Sequence, residues 1–147
     1  LNRSLAATCP GNRFITLFLG AVDPAGGELR FANAGHNPPF LFRQDGEVVT
    51  LTDGGPVLGL FAGMSYDEFR CGLDPGDLLL LYSDGVTEAV DPAGEEFGEE
   101  RLIELVKSRP GASAASIVEQ IQTVVEQWAA GQPASDDITV VAVRRVQ

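Results

Sequence analysis

The spacing of apolar residues changes partway along the chain, and this change constrains the fold most. From residue 14 to residue 82, short runs rich in β-branched and aromatic residues alternate with Pro/Gly turns such as 23–27. Such runs predict antiparallel strands, here over residues 14–22, 28–34, 40–43, 48–51, 66–72 and 77–82. After Asp77, the run 77–82 is continuously apolar, as expected for a strand buried on both faces.

The later part of the chain has the helical spacing of about 3.6 residues. It predicts a helix over 99–107 and a second one that begins after Ser113 and ends near Ala130, before Gly131. Residues 138–143 predict a final strand. Strands that precede helices indicate an α+β fold built on an antiparallel sheet. The 147 residues provide room for one domain, and no linker-like stretch divides them.

The charge balance excludes several kinds of partner. Ten Lys and Arg against 21 Asp and Glu give a net charge of −11. Binding to nucleic acid or to an anionic membrane needs clustered positive charge, so neither is expected. No apolar run reaches the roughly 18–20 residues of a membrane span, which predicts no membrane insertion and a cytoplasmic location.

Aspartates at two strand ends are the strongest candidates for chemistry. Asp84, with Gly85 after it, follows the apolar strand 77–82, and Asp136 and Asp137 precede the last strand. Carboxylate oxygens suit hard divalent cations such as Mg²⁺ and Mn²⁺, and Gly85 allows a sharp turn and a close approach to a ligand. The alternative is structural, since Asp-Gly is a common turn and Asp-Asp also occurs in solvated loops.

Other polar residues have weaker signals. His36, the only histidine, lies in a loop between strands, where it could orient a phosphate or relay a proton. The alternative to a functional role is that His36 is packed in a turn and hydrogen-bonded to the backbone. The acidic run 95–100 indicates a solvated helix start, favoured by the helix dipole. Neither cysteine has a zinc-ligand spacing, and no Walker lysine or Gly-x-Gly-x-x-Gly loop is present.

Six short motifs occur in an order and spacing that together are far more specific than any one of them. They are residues 14–20 (FITLFLG), 33–39 (NAGHNPP), 55–59 (GPVLG), 82–89 (YSDGVTEA), 97–98 (FG) and 136–140 (DDITV). With them the chain resembles the SpoIIE-like (RsbU-type) branch of the PPM metal-dependent serine/threonine phosphatases over nearly its whole length.

The resemblance implies a fold and a site. The family fold is an antiparallel β-sandwich flanked by helices, in an α-β-β-α arrangement, with two Mn²⁺ or Mg²⁺ ions at one end. Water held by the ions hydrolyses phosphoserine or phosphothreonine. By position in the motifs, Asp84 and Asp136 match metal ligands. Gly85, Asp137 and His36 are weaker candidates, and His36 stands where many other PPM phosphatases carry the Asp of a Gly-Asp pair.

One departure from the family pattern shapes the functional prediction. Residues 1–20 contain no match to the opening segment that supplies the Asp bridging both metals, so we expect a single domain over 1–147 that lacks it. The parent protein is expected to dephosphorylate a regulatory protein of the anti-sigma-factor-antagonist type, while this chain alone is inactive or weak. The alternative is a non-catalytic interaction module with a vestigial metal site. Open sheet edges would also permit a homodimer.

Overall fold

The computed structural model of the chain describes residues 1–8, 13–133 and 136–146. In chain order its elements are α1 (Asn2–Thr8), β1 (Leu17–Asp23), β2 (Glu28–Ala34), β3 (Phe40–Phe42), β4 (Val48–Thr50), β5 (Phe69–Gly72), β6 (Leu78–Tyr82), α2 (Asp84–Thr87), α3 (Gly98–Lys107), α4 (Ala114–Ala129) and β7 (Val140–Arg144). None of the helices in these ranges is both long enough and apolar enough to span a bilayer. The elements fall into two compact units.

The first unit comprises Leu1–Pro38 and Leu51–Leu73 and holds an antiparallel sheet of strand order β1-β2-β5. The alternation predicted for β2 is present, because Leu29 and Phe31 are buried and Arg30 between them is exposed. The Phe31 ring packs against Phe18 and Phe69, with ring centroids 5.4 and 5.7 Å away. This aromatic row joins all three strands.

Helix α1 is attached through Asn2 to the loop that precedes β5, at residues 58–64. The buried Asn2 side chain donates to the carbonyl oxygens of Phe61 and Met64, at 2.8 and 3.3 Å, and accepts from the backbone N–H of Gly59 at 2.9 Å. One amide therefore satisfies three backbone groups of a loop that has no ladder of its own. Leu58 in that loop forms an isolated bridge with Ile15.

The second unit comprises Pro39–Thr50 and Asp74–Gln147 and holds an antiparallel sheet of order β4-β3-β6-β7. Strand β6 is central, and Leu79 and Leu80, which point to opposite faces, are both buried as predicted. Helices α3 and α4 bury their apolar positions in the same core as the sheet. That core consists of Phe40, Phe42, Leu78, Leu80, Tyr82, Val86, Ala89, Phe97, Leu102, Val106, Ile117, Ile121 and Val125.

Most elements predicted from the sequence form within a few residues of the expected ends. Helix α4 begins after Ser113, whose hydroxyl accepts from the Ser116 N–H at 3.1 Å, so the predicted cap is confirmed. Strand β1 begins at Leu17 rather than at residue 14, and β5 begins at Phe69 rather than at 66. Before β1, Phe14 is exposed and Ile15 pairs with the loop residue Leu58. Before β5, the Tyr66 hydroxyl donates to the Val57 carbonyl, so composition alone extended both strands too far.

Candidate metal centre

Strands β6 and β7 bring the two aspartate motifs together at one end of the sheet. The last pair of their ladder is Tyr82 with Val140, so each motif lies just beyond it. Backbone hydrogen bonding continues past that pair, because the Ser83 N–H donates to the Thr139 carbonyl at 2.9 Å. The segments that carry Asp84 and Asp136 are therefore neighbours.

The Ser83 side chain strengthens this junction. Its hydroxyl donates to the Asp137 carbonyl at 2.8 Å and accepts from the Thr139 N–H at 2.9 Å. A single hydroxyl thus satisfies two backbone groups of a segment that precedes regular pairing. Ser83 and Thr139 belong to the recognised motifs, but nothing in their spacing indicated this role.

Gly85 is the point of closest approach between the two segments. A Cβ atom on Gly85 would lie 2.5 Å from the Asp137 carbonyl oxygen and 3.0 Å from that of Asp136. Its φ is not in the left-handed region, so a glycine is required here for space and not for an unusual turn. The sequence predicts that Gly85 approaches a ligand closely, whereas in the structure its close neighbour is the backbone of the second motif.

The two predicted ligand side chains are exposed and locally oriented. Asp84 is the first residue of α2, and its Oδ1 accepts from the Gly85 N–H at 3.0 Å. Asp136 Oδ1 accepts from the Asp137 N–H at 2.7 Å. Each short bond restricts the orientation of a carboxylate that remains open to solvent. Their role as metal ligands stays a prediction.

The oxygen donors suit a hard cation but are few. Within residues 1–8, 13–133 and 136–146, no group of three or more His, Cys, Asp or Glu side chains is arranged to hold a metal ion. A Mg²⁺ ion prefers six oxygen ligands. Asp84 and Asp136 therefore fit part of a coordination shell, which other oxygen donors have to complete.

A partly buried hydrogen bond supports the end of β6 next to Asp84. The Tyr82 hydroxyl donates to Glu99 Oε1 at 2.6 Å, and the ring stacks on Phe40 at 5.1 Å between centroids. Burial, together with the bond to the Glu99 carboxylate, raises the pKa of Tyr82 well above its usual value. Glu99 is exposed in the first turn of α3, as predicted for a solvated helix start, and its carboxylate also links α3 to β6.

His36 lies in the first unit, in a turn closed by Asn33. The Asn33 side chain donates to the His36 carbonyl at 3.0 Å and accepts from the His36 N–H at 2.8 Å. The half-buried ring has Nδ1 3.4 Å from the Thr16 hydroxyl. His36 lies in a turn, as its structural alternative expects, but the ring contact is to a side-chain hydroxyl and not to backbone. A role of His36 at a metal centre stays a prediction.

Comparison with known proteins gives the chain a family. The family model described as Stage II sporulation protein E (SpoIIE) matches residues 1–146. The phosphoserine phosphatase RsbU of Bacillus subtilis is 32% identical over an alignment of 147 positions that covers 99% of this chain and 43% of RsbU. The chain spans less than half the length of the curated relatives that it matches.

Solved structures of PP2C domains share the fold. The SiaA PP2C domain of Pseudomonas aeruginosa superposes with a TM-score of 0.76 at 22% identity, covering 88% of this chain and 51% of that one. The catalytic domain of the serine/threonine phosphatase PstP, solved with two manganese ions, has a TM-score of 0.68 at 18% identity, covering 96% and 65%. The expected α+β phosphatase fold is confirmed, and by the match over residues 1–146 the chain belongs to the SpoIIE family.

Proposed function

We propose that the chain forms part of the catalytic domain of a metal-dependent phosphatase that acts on phosphoserine or phosphothreonine in a bacterial regulatory protein. The observation that carries this proposal is the junction of the two aspartate motifs through Ser83 and Gly85. Family membership and the name of RsbU, a phosphoserine phosphatase, support the substrate class. An anti-sigma-factor antagonist remains our candidate for the substrate protein.

Asp84 and Asp136 would hold the cations, with Asp137, Gly85 and His36 as weaker candidates. Carboxylates favour both Mn²⁺ and Mg²⁺, and the two manganese ions of PstP make Mn²⁺ a reasonable first choice. When bound, such ions lower the pKa of water and neutralise charge on a phosphoryl group. The donor set fits this chemistry in type, although two carboxylates are too few to hold a pair of ions alone.

The residues of this chain would contribute by preorganising the carboxylates. Ser83 holds the backbone at Asp137 and Thr139, which fixes the position from which Asp136 projects. Gly85 permits α2 to start directly against that backbone, so Asp84 lies at the same end of the sheet. A rigid arrangement of this kind lowers the cost of reorganisation when charge develops in the reaction.

Two further proposals concern the activity of the chain alone and its pairing with a second copy. We propose that the chain alone is inactive or weakly active, since a pair of ions requires more ligands than Asp84 and Asp136 supply. The open edges β1, β5, β4 and β7 leave pairing with a second copy as a further proposal. A monomeric mass at working concentration would contradict that pairing.

Phosphatase assays on the intact natural protein test the function. With Mn²⁺ and a phosphoserine-bearing protein substrate, we expect Asp84→Asn and Asp136→Asn each to lower kcat/KM at least about tenfold, or about 1.4 kcal/mol. Asp67→Asn, an exposed aspartate in the first unit, is the matched control and should leave kcat/KM unchanged.

Two results would count against the proposal. A loss smaller than about tenfold in Asp84→Asn, with the fold intact, would remove Asp84 from the site. If the intact protein binds a phosphorylated partner but releases no phosphate with either metal, the chain is instead a docking module. The second result favours the non-catalytic alternative over the enzyme.

A further inference from the structure

A cavity of about 380 Å³ lies in the second unit, at the end of the sheet where β6 begins. Its walls come from the β3–β4 turn, the turn at Gly76, the α3–α4 connection and the end of β7. The volume is within the range of small-molecule sites, roughly 300–1,000 Å³. It has no part in the candidate metal centre.

The cavity is lined by an unusual share of the positive charge of this acidic chain. Arg43, Lys107, Arg109 and Arg144 line it, which is four of only ten Lys and Arg residues in a chain of net charge −11. Glu47 is the one carboxylate among the lining residues. Arg43 is already paired with the buried Asp77 at 2.6 Å.

The other three cations lack acidic partners in the described part of the chain. No Asp or Glu oxygen there lies within 4.0 Å of Lys107, Arg109 or Arg144. Lys107 and Arg109 are exposed, so their charges face solvent at the rim. Three cations around one cavity, none of them in a close ion pair there, attract an anion more strongly than scattered surface charges do.

Arg144 provides an independent observation. Its side chain is half-buried, and its Nη1 donates to the neutral carbonyl of Gly76 at 2.7 Å. Its buried Nε–H has no acceptor among the described residues. A guanidinium that is partly desolvated without a carboxylate is stabilised by an anion nearby. Guanidinium groups also match phosphate oxygens in geometry.

The remaining wall is apolar. Phe42, Leu78 and Val106 are buried core residues whose surfaces form part of the lining. A cavity with a cationic rim and an apolar floor suits a ligand that has a charged group and an apolar or ring-shaped body. We propose that this cavity binds a small organic phosphate, with Lys107, Arg109 and Arg144 holding the phosphate.

The cavity and the candidate metal centre lie at opposite ends of the same two strands. Leu78 pairs with Arg144 at the cavity end, and Tyr82 pairs with Val140 at the aspartate end. Four residue steps at about 3.3 Å each separate these pairs by roughly 13 Å. A ligand in the cavity would therefore not replace the substrate of the phosphatase.

Calorimetric titration of ADP into the intact protein, at low salt with EDTA, tests the site without divalent cations. We expect saturable binding that weakens at least about tenfold in Lys107→Gln/Arg109→Gln, whose exposed side chains can change without disturbing the core. Arg30→Gln/Arg70→Gln, which removes the same charge from the other unit, should bind as the wild type does. Asp84→Asn should also bind normally.

Titrations with pyrophosphate and with adenosine test separately whether the phosphates and the ring of ADP contribute to binding. ADP should bind more tightly than either, because only ADP has both the phosphates and a ring. The absence of saturable ADP binding would overturn the proposal, and so would equal binding by wild type and the Lys107/Arg109 variant. Equal affinity for ADP and pyrophosphate would overturn the assignment of an organic phosphate.

Discussion

Replacing Gly85 by alanine tests the junction beneath the candidate metal centre. The added Cβ would lie 2.5 Å from the Asp137 carbonyl oxygen and 2.9 Å from its carbonyl carbon, which are backbone atoms that cannot rotate away. Relief requires α2 or the 136–139 segment to move, and overpacking of this kind costs about 1–3 kcal/mol. A shift of that segment also strains the two Ser83 hydroxyl bonds.

Thermal unfolding followed by circular dichroism measures the effect. At about 2–4 °C per kcal/mol, a loss of about 2 kcal/mol lowers Tm by roughly 4–8 °C in a domain of this size. Gly63→Ala is the matched control, because a Cβ there meets nothing within 4 Å and its φ is not left-handed. That variant should be unchanged or stabilised by about 0.4–1 kcal/mol. A Gly85→Ala protein with the wild-type Tm and Mn²⁺ affinity would refute the close contact.

Two further changes test buried polar groups of the second unit. Asp77 is 1% exposed and accepts hydrogen bonds from Arg43, Gln44 and Asp74. Because Asp77→Ala leaves these donors without an acceptor, it should lower the free energy of unfolding in urea by about 3 kcal/mol. A loss below about 1 kcal/mol would contradict this. The pKa of Tyr82 is raised in the folded state. The neutral Tyr82 hydroxyl therefore stabilises the folded protein fully below pH 10, and this contribution is lost as the pH rises. Between pH 9 and 11 the wild type should lose about 1.4 kcal/mol more than Tyr82→Phe, and equal losses would contradict the raised pKa.

The regular elements of this fold were predictable from the sequence because their signals are local. Strand β2 has the predicted bounds, Glu28–Ala34, since its alternation matches the period of a strand with one buried face. Helix α4 begins where its Ser113 cap indicates. In both, the sequence pattern and the tertiary packing favour the same conformation.

The details of the site could not be predicted, because they depend on contacts that are distant in sequence. Helix α2 is a four-residue helix, Asp84–Thr87, with no strong propensity, and it packs against the backbone of residues 136–137. Glu99 lies in the exposed acidic run, as predicted, but its carboxylate also accepts from the buried Tyr82 hydroxyl, which the sequence did not indicate. Asp77 opens the predicted strand 77–82, and nothing local in the sequence indicates that its carboxylate accepts from three donors.

For the candidate metal ligands too, the sequence predicted one part of the site and not another. The motifs identified Asp84 and Asp136, and the structure brings their segments together. What the motifs could not provide is the reason for the glycine, which is the space required by the Asp137 carbonyl. That reason becomes visible only when two segments about fifty residues apart are placed side by side.

Calorimetric titration of Mn²⁺ into the intact protein, compared with Asp84→Asn/Asp136→Asn, tests the central claim most directly. We predict saturable binding in the wild type that weakens at least about tenfold in the double variant, while circular dichroism shows an unchanged fold. Equal binding by both proteins, or no saturable binding by a folded wild type, would contradict the claim that Asp84 and Asp136 together hold a divalent cation.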